Sequence, residues 1–428
     1  MSELFVKIDN VEKGPYSKKE LHNLAMRGEF NRHDLVFHED SQEWVEAGLL
    51  EELYNVFQNP DADATRKIVF AVGGGKGGVG KTSLTASLGI GLAALDNRVV
   101  IVDADLGGAN LHTAMGILDP EYTFYHFYTM QRDTLQDIML DTPIENLKLI
   151  SGACGTLGLA NPQFAQKQRF INQLHQLHAD YILLDLGAGS SYHVIDFFIA
   201  ADQGILVTTP EPIAIQDTFN FLKVSLMRRL VREFKNKPQV LDILETHIGS
   251  NQGRMLNTMS DIIDQVGKVD PEASNTITKL LSSYRPKLIL NMVHAEDEIR
   301  EGDTFKTAAR ELLGVEVDYI GYIEYDDNVR RSIKELRPFI LDNPRSRASR
   351  NLARLITVGI LGKEGLRGYR EKHKVMKNVK NDSRDYPKAN LKESDIICSV
   401  KCMYWGDCEY QNGGHPCSVR HLDPIFRK

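Results

Sequence analysis

One eight-residue stretch constrains this chain more than any other: Gly75-Lys76-Gly77-Gly78-Val79-Gly80-Lys81-Thr82. It lies between a β-rich run, Lys67–Val72, and a helical run that opens at Ser83. The stretch fits G-x-x-x-x-G-K-[ST], and its context is the strand before and helix after that such a loop needs. Glycines let the backbone turn tightly and aim successive N–H groups at phosphate oxygens. The helix start adds the positive end of its dipole. Lys81 is then placed to reach the β- and γ-phosphates of a nucleoside triphosphate, and the Thr82 hydroxyl to ligate Mg²⁺.

The rest of residues 67–361 agrees with a chain that must hold such a loop at a sheet edge. Short apolar runs at Ile68–Val72, Val99–Val102, Leu147–Ile150, Tyr181–Leu184, Ile205–Thr208, Leu288–Leu290 and Tyr319–Ile323 alternate with helical stretches. That is the pattern of an α/β fold, a mainly parallel sheet covered by helices on both faces. Residues about 225–285 break the rhythm with helical stretches Val224–Phe234, Met255–Val266 and Ala273–Tyr284, an inserted subdomain or an elaborated crossover. The 428 residues are 42% hydrophobic and 25% charged, as globular proteins are. No run of 18 apolar residues predicts a membrane span, and the start lacks a secretory pattern, so a cytoplasmic location is expected.

Two further strands end in carboxylates. Val99-Val100-Ile101-Val102 leads into Asp103-Ala104-Asp105, and Tyr181-Ile182-Leu183-Leu184 leads into Asp185-Leu186-Gly187-Ala188-Gly189. Ligands of parallel sheets bind at the carboxyl ends of the strands. The i, i+2 spacing of Asp103 and Asp105 aims both at one Mg²⁺–phosphate site, and Asp185 is expected to hold the ion through water. Gly187 and Gly189 fit a loop whose backbone meets the γ-phosphate.

Lys76 adds a second lysine to the loop, and Lys-Gly-Gly-Val-Gly-Lys-Thr-Ser resembles the deviant Walker A sequence of the MinD/ParA class of ATPases. Asp-Ala-Asp-Leu-Gly-Gly-Ala-Asn at 103–110, Thr-Pro-Glu-Pro at 209–212 and Gly-Tyr-Ile at 321–323 resemble the FlhG (FleN) branch of that class. The resemblance implies a slow, Mg-dependent and partner-stimulated ATPase that works as an ATP-dependent homodimer. It implies catalytic roles for Lys76, Lys81 and Asp105: Lys76 reaches across the dimer to the partner's nucleotide, and Asp105 orients the attacking water. Nucleotide-binding residues would be Gly75 through Ser83, with Gly189, Asn291 and Asp326; Thr82, Asp103 and Asp185 would form the Mg site. Asn291 matches an adenine-contacting Asn, whose amide can donate and accept at once. Glu324 stands where the class usually has Pro. Placement or counting of a cellular structure (a flagellum, a pilus, a polar complex) is the function implied, with a partitioning ATPase, an iron–sulfur carrier of Mrp type and a non-catalytic adaptor as alternatives.

The flanks carry their own signals. Residues 1–57 contain Gly-Pro-Tyr-Ser at 14–17 (a turn), a capping-box spacing Ser17…Glu20, and short strands at Asp34–Phe37 and Glu43–Val45. They resemble the second GYF family, small α+β adaptors. Tyr16 and Trp44 serve either to bind a protein partner or simply as the core. Residues 58–66, QNPDADATR, are expected to be a linker. Residues 345–380 hold 11 Lys and Arg against 2 Glu in a chain of net charge −7. A basic linker over 362–397 is expected, able to meet the anionic inner face of the plasma membrane or nucleic acid. Specific nucleic-acid binding is not expected. Residues 398–428 hold Cys398, Cys402, Cys408 and Cys417, spaced C-x3-C-x5-C-x8-C, a ligand set for structural Zn²⁺ or an iron–sulfur cluster, or else free thiols. Cys154 stands alone and is expected to be buried.

Overall fold

The structure, a computed structural model, describes residues 4–8, 11–17, 20, 21, 24, 30, 34–38 and 43–47 near the N-terminus, and residues 67–152, 164–249, 258–363 and 365–386. Cys154 and the four-cysteine tail lie outside the described residues.

Near the N-terminus, strands β1 (Leu4–Ile8), β2 (Val11–Tyr16), β3 (Leu35–His38) and β4 (Glu43–Glu46) form an antiparallel sheet in the order β2-β1-β3-β4. The alternation of LFVKI places Leu4, Val6 and Ile8 inward, with Leu21, Phe30 and Val36. The capping box forms as its spacing predicts: Ser17 N–H donates to Glu20 Oε2 (2.8 Å), and Glu20 N–H to Ser17 Oγ (3.3 Å). Gly14 to Tyr16 differ from expectation. They are not a turn but the end of β2, with Tyr16 paired to Leu4. Trp44 lies on the sheet with the Phe37 ring edge-on at 5.5 Å and Lys7 Nζ 4.9 Å from its own ring centre.

Residues 67–386 build an eight-stranded sheet. Its strands are β5 (Ile68–Gly73), β6 (Val99–Asp103), β7 (Leu140–Asp141), β8 (Leu147–Ile150), β9 (Tyr181–Asp185), β10 (Gln203–Thr208), β11 (Lys287–Val293) and β12 (Asp318–Glu324). Their order is β12-β11-β10-β5-β9-β6-β8-β7, and every pair is parallel except β7 with β8. The apolar runs read as strands are these strands; the two-residue edge strand β7 is too short to announce itself. The runs are apolar on both faces because each face is covered. Val69, Ala71, Val100 and Leu184 enter one core with Phe170, Phe197 and Phe221, while Phe70, Val72, Ile101 and Leu183 enter the other with Leu88, Ile340 and Ile356.

The helix Lys81–Ala93 runs between the sheet and a further helical layer, so it is buried nearly all round. Small residues make that possible. A Cβ on Gly89 would lie 2.6 Å from Ile101 Cγ2, and one on Gly91 2.2 Å from Ile356 Cδ1. The stretch 225–285 is an elaborated crossover from β10 to β11. Val224–Glu233 is the second half of one helix, Pro212–Glu233, and Met259–Val269 and Pro271–Ser283 send Ile262, Val266, Ile277 and Leu281 into the first core.

The segment expected as a basic linker differs from that expectation over residues 365–385. Gly365–Asp385 is a helix that buries Val375 and Val379, and Tyr386 after it, in the second core. It is tied down by Lys374 Nζ on Asp96 (2.7 Å), Asn378 Nδ2 on Ala94 O (2.8 Å) and Tyr386 on the Met115 carbonyl. No helix among the described residues is long and apolar enough to cross a membrane.

Candidate functional site

The register of the sheet brings the sequence-predicted residues together. Asp103 at the end of β6 pairs with Asp185 at the end of β9, and Asp185 pairs with Val72 of β5 just before the glycine-rich loop. Three strand ends therefore converge under one loop.

The loop is shaped by close approaches. A Cβ on Gly74 would lie 2.5 Å from Val207 O, and one on Gly75 2.1 Å from Asp217 O, so backbone presses against backbone there. Gly78 and Gly80 have φ of 79° and 90°, which glycine adopts freely. Gly80 is the N-cap of the helix Lys81–Ala93, so Lys81 begins that helix with its own side chain buried. Lys81 Nζ donates to Lys76 O (3.2 Å), folding the lysine back under the loop. Burial pushes the Lys81 ammonium down from its usual range, opposed by the charges of Asp185 and Asp105.

Asp185 is wholly buried. Its Oδ1 accepts from Thr85 Oγ1 (3.2 Å), while its Oδ2 is buried without a hydrogen-bond partner among the described residues. Burial raises its carboxyl above the carboxylate range; Thr82, Lys81 and Thr85 pull the other way, and Asp105 adds to the rise. Asp103 is also fully buried and raised well above that range, by burial first and then by the charge of Asp185. Its two oxygens accept backbone N–H groups from Asp105 (3.2 Å to Oδ1) and Leu111 (2.9 Å to Oδ2), so it fastens the loop after β6. Asp105 lies half-buried in that loop and accepts from Gly108 N–H (3.1 Å). Gly187 in the loop after β9 makes room for it: a Cβ there would lie 2.9 Å from Asp105 Oδ1. Gly189, two residues on, has φ of 83° and open space where a Cβ would point.

On the other flank Asn291, in β11, donates from Nδ2 to Val79 O (2.8 Å), joining the glycine-rich loop to the strand beside the edge strand β12. Met292 beside it has φ of 58°, a left-handed conformation unusual for Met, where the β11–β12 register shifts. Asp326 follows β12 and caps the helix Asp327–Lys334, its Oδ1 accepting from Asn328 N–H (2.9 Å) and Nδ2 (2.8 Å). Glu324, at the position where a Pro was expected, uses its N–H to donate to Asn351 Oδ1 (3.1 Å).

The sequence did not mark Thr85, His294 or Tyr325, and marked Glu211 only as part of Thr-Pro-Glu-Pro. Thr85 lies one helical turn after Lys81, a spacing that could have marked it. The Glu211 carboxyl is held below its usual range chiefly by the Thr209 hydroxyl, against burial, with help from the charges of Lys76 and His294. His294 and Tyr325 stack with ring centres 4.4 Å apart. Nothing in the spacing of Glu211, His294 and Tyr325 marks them as neighbours.

Compared with known families, residues 65–230 match the ParA model, described as NUBPL iron-transfer P-loop NTPase, and residues 5–53 match GYF domain 2. Over 284 residues the chain is 28% identical to the antiactivator FleN of Pseudomonas aeruginosa, covering 66% of this chain and 82% of FleN. It is 30% identical over 224 residues to the flagellum site-determining protein YlxH of Helicobacter pylori, 49% of this chain and 69% of that one. It is 26% identical over 286 residues to the septum site-determining protein MinD of Bacillus subtilis, 66% of this chain and 86% of that one. Among solved structures, MinD of Pyrococcus horikoshii with Mg-ADP aligns with a TM-score of 0.45 and 21% identity, over 68% of this chain and 95% of that one. The chain belongs to the ParA family of P-loop NTPases, in company with FleN- and MinD-type proteins, and carries a GYF-type segment ahead of that domain.

Proposed function

We propose that the chain hydrolyses ATP as a dimerisation switch that sets the place or number of a cellular structure. The observation that carries this reading is the convergence of Lys81, Thr82, Asp105 and Asp185 under a loop that also holds Lys76. The names of the relatives support the output: an antiactivator, a flagellum site-determining protein and septum site-determining proteins.

In this reading the backbone N–H groups from Gly75 to Ser83 and the Lys81 ammonium hold the β- and γ-phosphates. Asn291 and Asp326 flank the base. The donors suit Mg²⁺: the Thr82 hydroxyl and the unpartnered Asp185 Oδ2 are hard oxygen donors beside one another, with Asp103 behind them. No group of three His, Cys, Asp or Glu among the described residues could hold a metal by itself; an ion held by Thr82 and Asp185 would also need oxygens from phosphate and water. When bound, Mg²⁺ neutralises charge on the β- and γ-oxygens. Asp105 orients the attacking water, whose oxygen bonds to the γ-phosphorus as the bond to the ADP oxygen breaks. Lys76, whose charge acts on Glu211 here, is assigned to the partner's nucleotide in a homodimer. Gly187 and Gly189 let the loop after β9 follow the γ-phosphate and carry its loss to the dimer surface.

The test is light scattering with a non-hydrolysable ATP analogue and Mg²⁺, beside turnover. Wild type is expected to dimerise. Lys76→Ala is expected to bind ATP and remain monomeric with turnover reduced at least tenfold. Unchanged turnover in that variant refutes the shared-lysine switch. Residues 1–57 are assigned to a protein partner, and Cys398, Cys402, Cys408 and Cys417 to one Zn²⁺ or iron–sulfur centre. Elemental analysis of anaerobically purified protein is expected to find at least one such metal per chain; a colourless, metal-free protein refutes that assignment.

A further inference from the structure

The basic stretch that stood out in the sequence meets the nucleotide side through Ser346 and Ala348, which hydrogen-bond Asp326, and Asn351, which takes the Glu324 N–H. Its ends meet elsewhere. A cleft of about 550 Å³ is lined by Arg345 ahead of the helix Arg347–Arg354, by Lys380 and Arg384 on the helix Gly365–Asp385, and by Asn328, Asp342 and Asn343 from the segments facing them. It shares no lining residue with the glycine-rich loop.

The three cations are exposed, and no carboxylate pairs with any of them among the described residues. Asp342 is the one acidic side chain in the lining. Its Oδ2 already accepts from Ser332 Oγ (2.8 Å) and Asn343 Nδ2 (2.7 Å), with Arg331 at 3.9 Å. Three nearby basic side chains do pair with carboxylates: Lys363 with Glu371, Lys374 with Asp96 and Arg347 with Glu324. Three uncompensated cations around one concavity therefore mark a place where the fold leaves positive charge for something else. The volume falls within the range of small-molecule sites and exceeds what a lone phosphate fills. The Asn328 amide nitrogen is already given to Asp326 Oδ1 (2.8 Å), so its oxygen and the second oxygen of Asp342 remain, acceptors that suit hydroxyl partners rather than further anions.

We infer that this cleft binds a phosphate ester of a polyol, with Arg345, Lys380 and Arg384 on the phosphate and Asp342 and Asn328 toward the hydroxyls. Such a group can come from a soluble sugar phosphate or from the headgroup of an anionic lipid. Asn328 belongs to the helix that Asp326 caps directly after β12, so an occupant would touch an element continuous with the nucleotide side of the sheet.

The test uses the full chain with excess Mg-ADP, so that the glycine-rich loop does not compete for the probes. Inositol 1-phosphate and glycerol 3-phosphate are titrated calorimetrically, with free inositol and glycerol as controls. Vesicles of phosphatidylglycerol are compared with phosphatidylcholine by sedimentation. The Lys380→Ala/Arg384→Ala variant, whose changes are on exposed side chains, is checked for an unchanged melting temperature; Lys380→Arg/Arg384→Lys keeps the charge. Binding of a soluble phosphate ester that weakens at least tenfold in the alanine variant and survives in the charge-conserving one supports the site with a soluble ligand. Sedimentation with phosphatidylglycerol alone, lost in the same variant, supports the lipid source. No binding of any probe, or binding that the alanine variant retains, overturns the inference. Because the readout is the dependence on Lys380 and Arg384, it stands or falls separately from the ATPase reading.

Discussion

Asp105 and Gly187 show how a single missing methyl group sets the site. The Gly187 Cα sits where a Cβ would lie 2.9 Å from Asp105 Oδ1 and 3.1 Å from its Cγ. The obstructed atoms are the far end of a flexible side chain, so Gly187→Ala is expected to fold and to turn Asp105 aside. Turnover should fall at least tenfold with ATP affinity changed less than threefold, as expected when an interaction made only in the transition state is lost. Equal losses in affinity and turnover would mean that the methyl group disturbs binding instead. Gly75→Ala is a different case. Its Cβ would meet backbone, Asp217 O at 2.1 Å, and the loop itself must move. Binding of ATP should then be lost, by calorimetry. The glycines were legible in the sequence as a phosphate loop because spacing alone defines the motif. The pairing of Asp105 with Gly187 was not, because it depends on two strand ends 82 positions apart being neighbours in the sheet.

Between elements, the buried Asp196 carboxylate does the joining. It lies on the helix Tyr192–Ala200 and takes Lys167 (2.8 Å) from the helix Phe164–Leu174, and Arg228 (3.1 Å) and Arg232 (2.6 Å) from the helix Pro212–Glu233. Burial pushes its carboxyl up, but the hydrogen bonds from Lys167 and Arg228 and the charges of Arg232 and Arg228 outweigh it and hold it below the usual carboxylate range. Asp196→Asn leaves three cations around a neutral amide. The cost is expected at about 2–3 kcal/mol at pH 7, less than for a fully dry cluster because Arg228 and Arg232 are partly in water. A group lowered on folding contributes stability above its unfolded value and loses it as pH falls through its folded value. The gap between wild type and Asp196→Asn should therefore be constant from pH 8 to 6 and close below about pH 4, the ordinary Asp value, in urea titrations. A gap that does not narrow as pH falls below about 4 would assign the effect to packing. Sequence patterning found these helices but not the cluster. A lone Asp among Ile195, Phe197 and Phe198 carries no sign of what faces it.

Taken whole, the ATPase region closes on itself through its C-terminal helix. Val375, Val379 and Tyr386 are each 0–5% exposed. Burying each contributes on the order of 1.5–3 kcal/mol as an upper estimate, together comparable to a domain's net stability. Truncation after Lys363 is expected to lower the melting temperature by more than about 10 °C or to abolish soluble expression. An unchanged melting temperature would show the helix to be an appendage. The alternating strands and helices of 67–361 made the sheet predictable because short apolar runs alternating with helical stretches are a strong signal. The helix Gly365–Asp385 escaped for a physical reason: it buries a narrow stripe, and a stripe of two valines within so many lysines and arginines looks like a solvated linker.

The close fit of the loops after β6 and β9 has a consequence for motion. Asp105 occupies the hollow left by Gly187, and Asp103 ties the same loop to Leu111 through its N–H. The fit pushes without pulling: a Gly187 segment that moved inward would press Asp105 aside, in a loop that Asp103 fastens to the start of the helix Leu111–Ala114. Movement at one strand end thus has a route, by contact alone, to its neighbour.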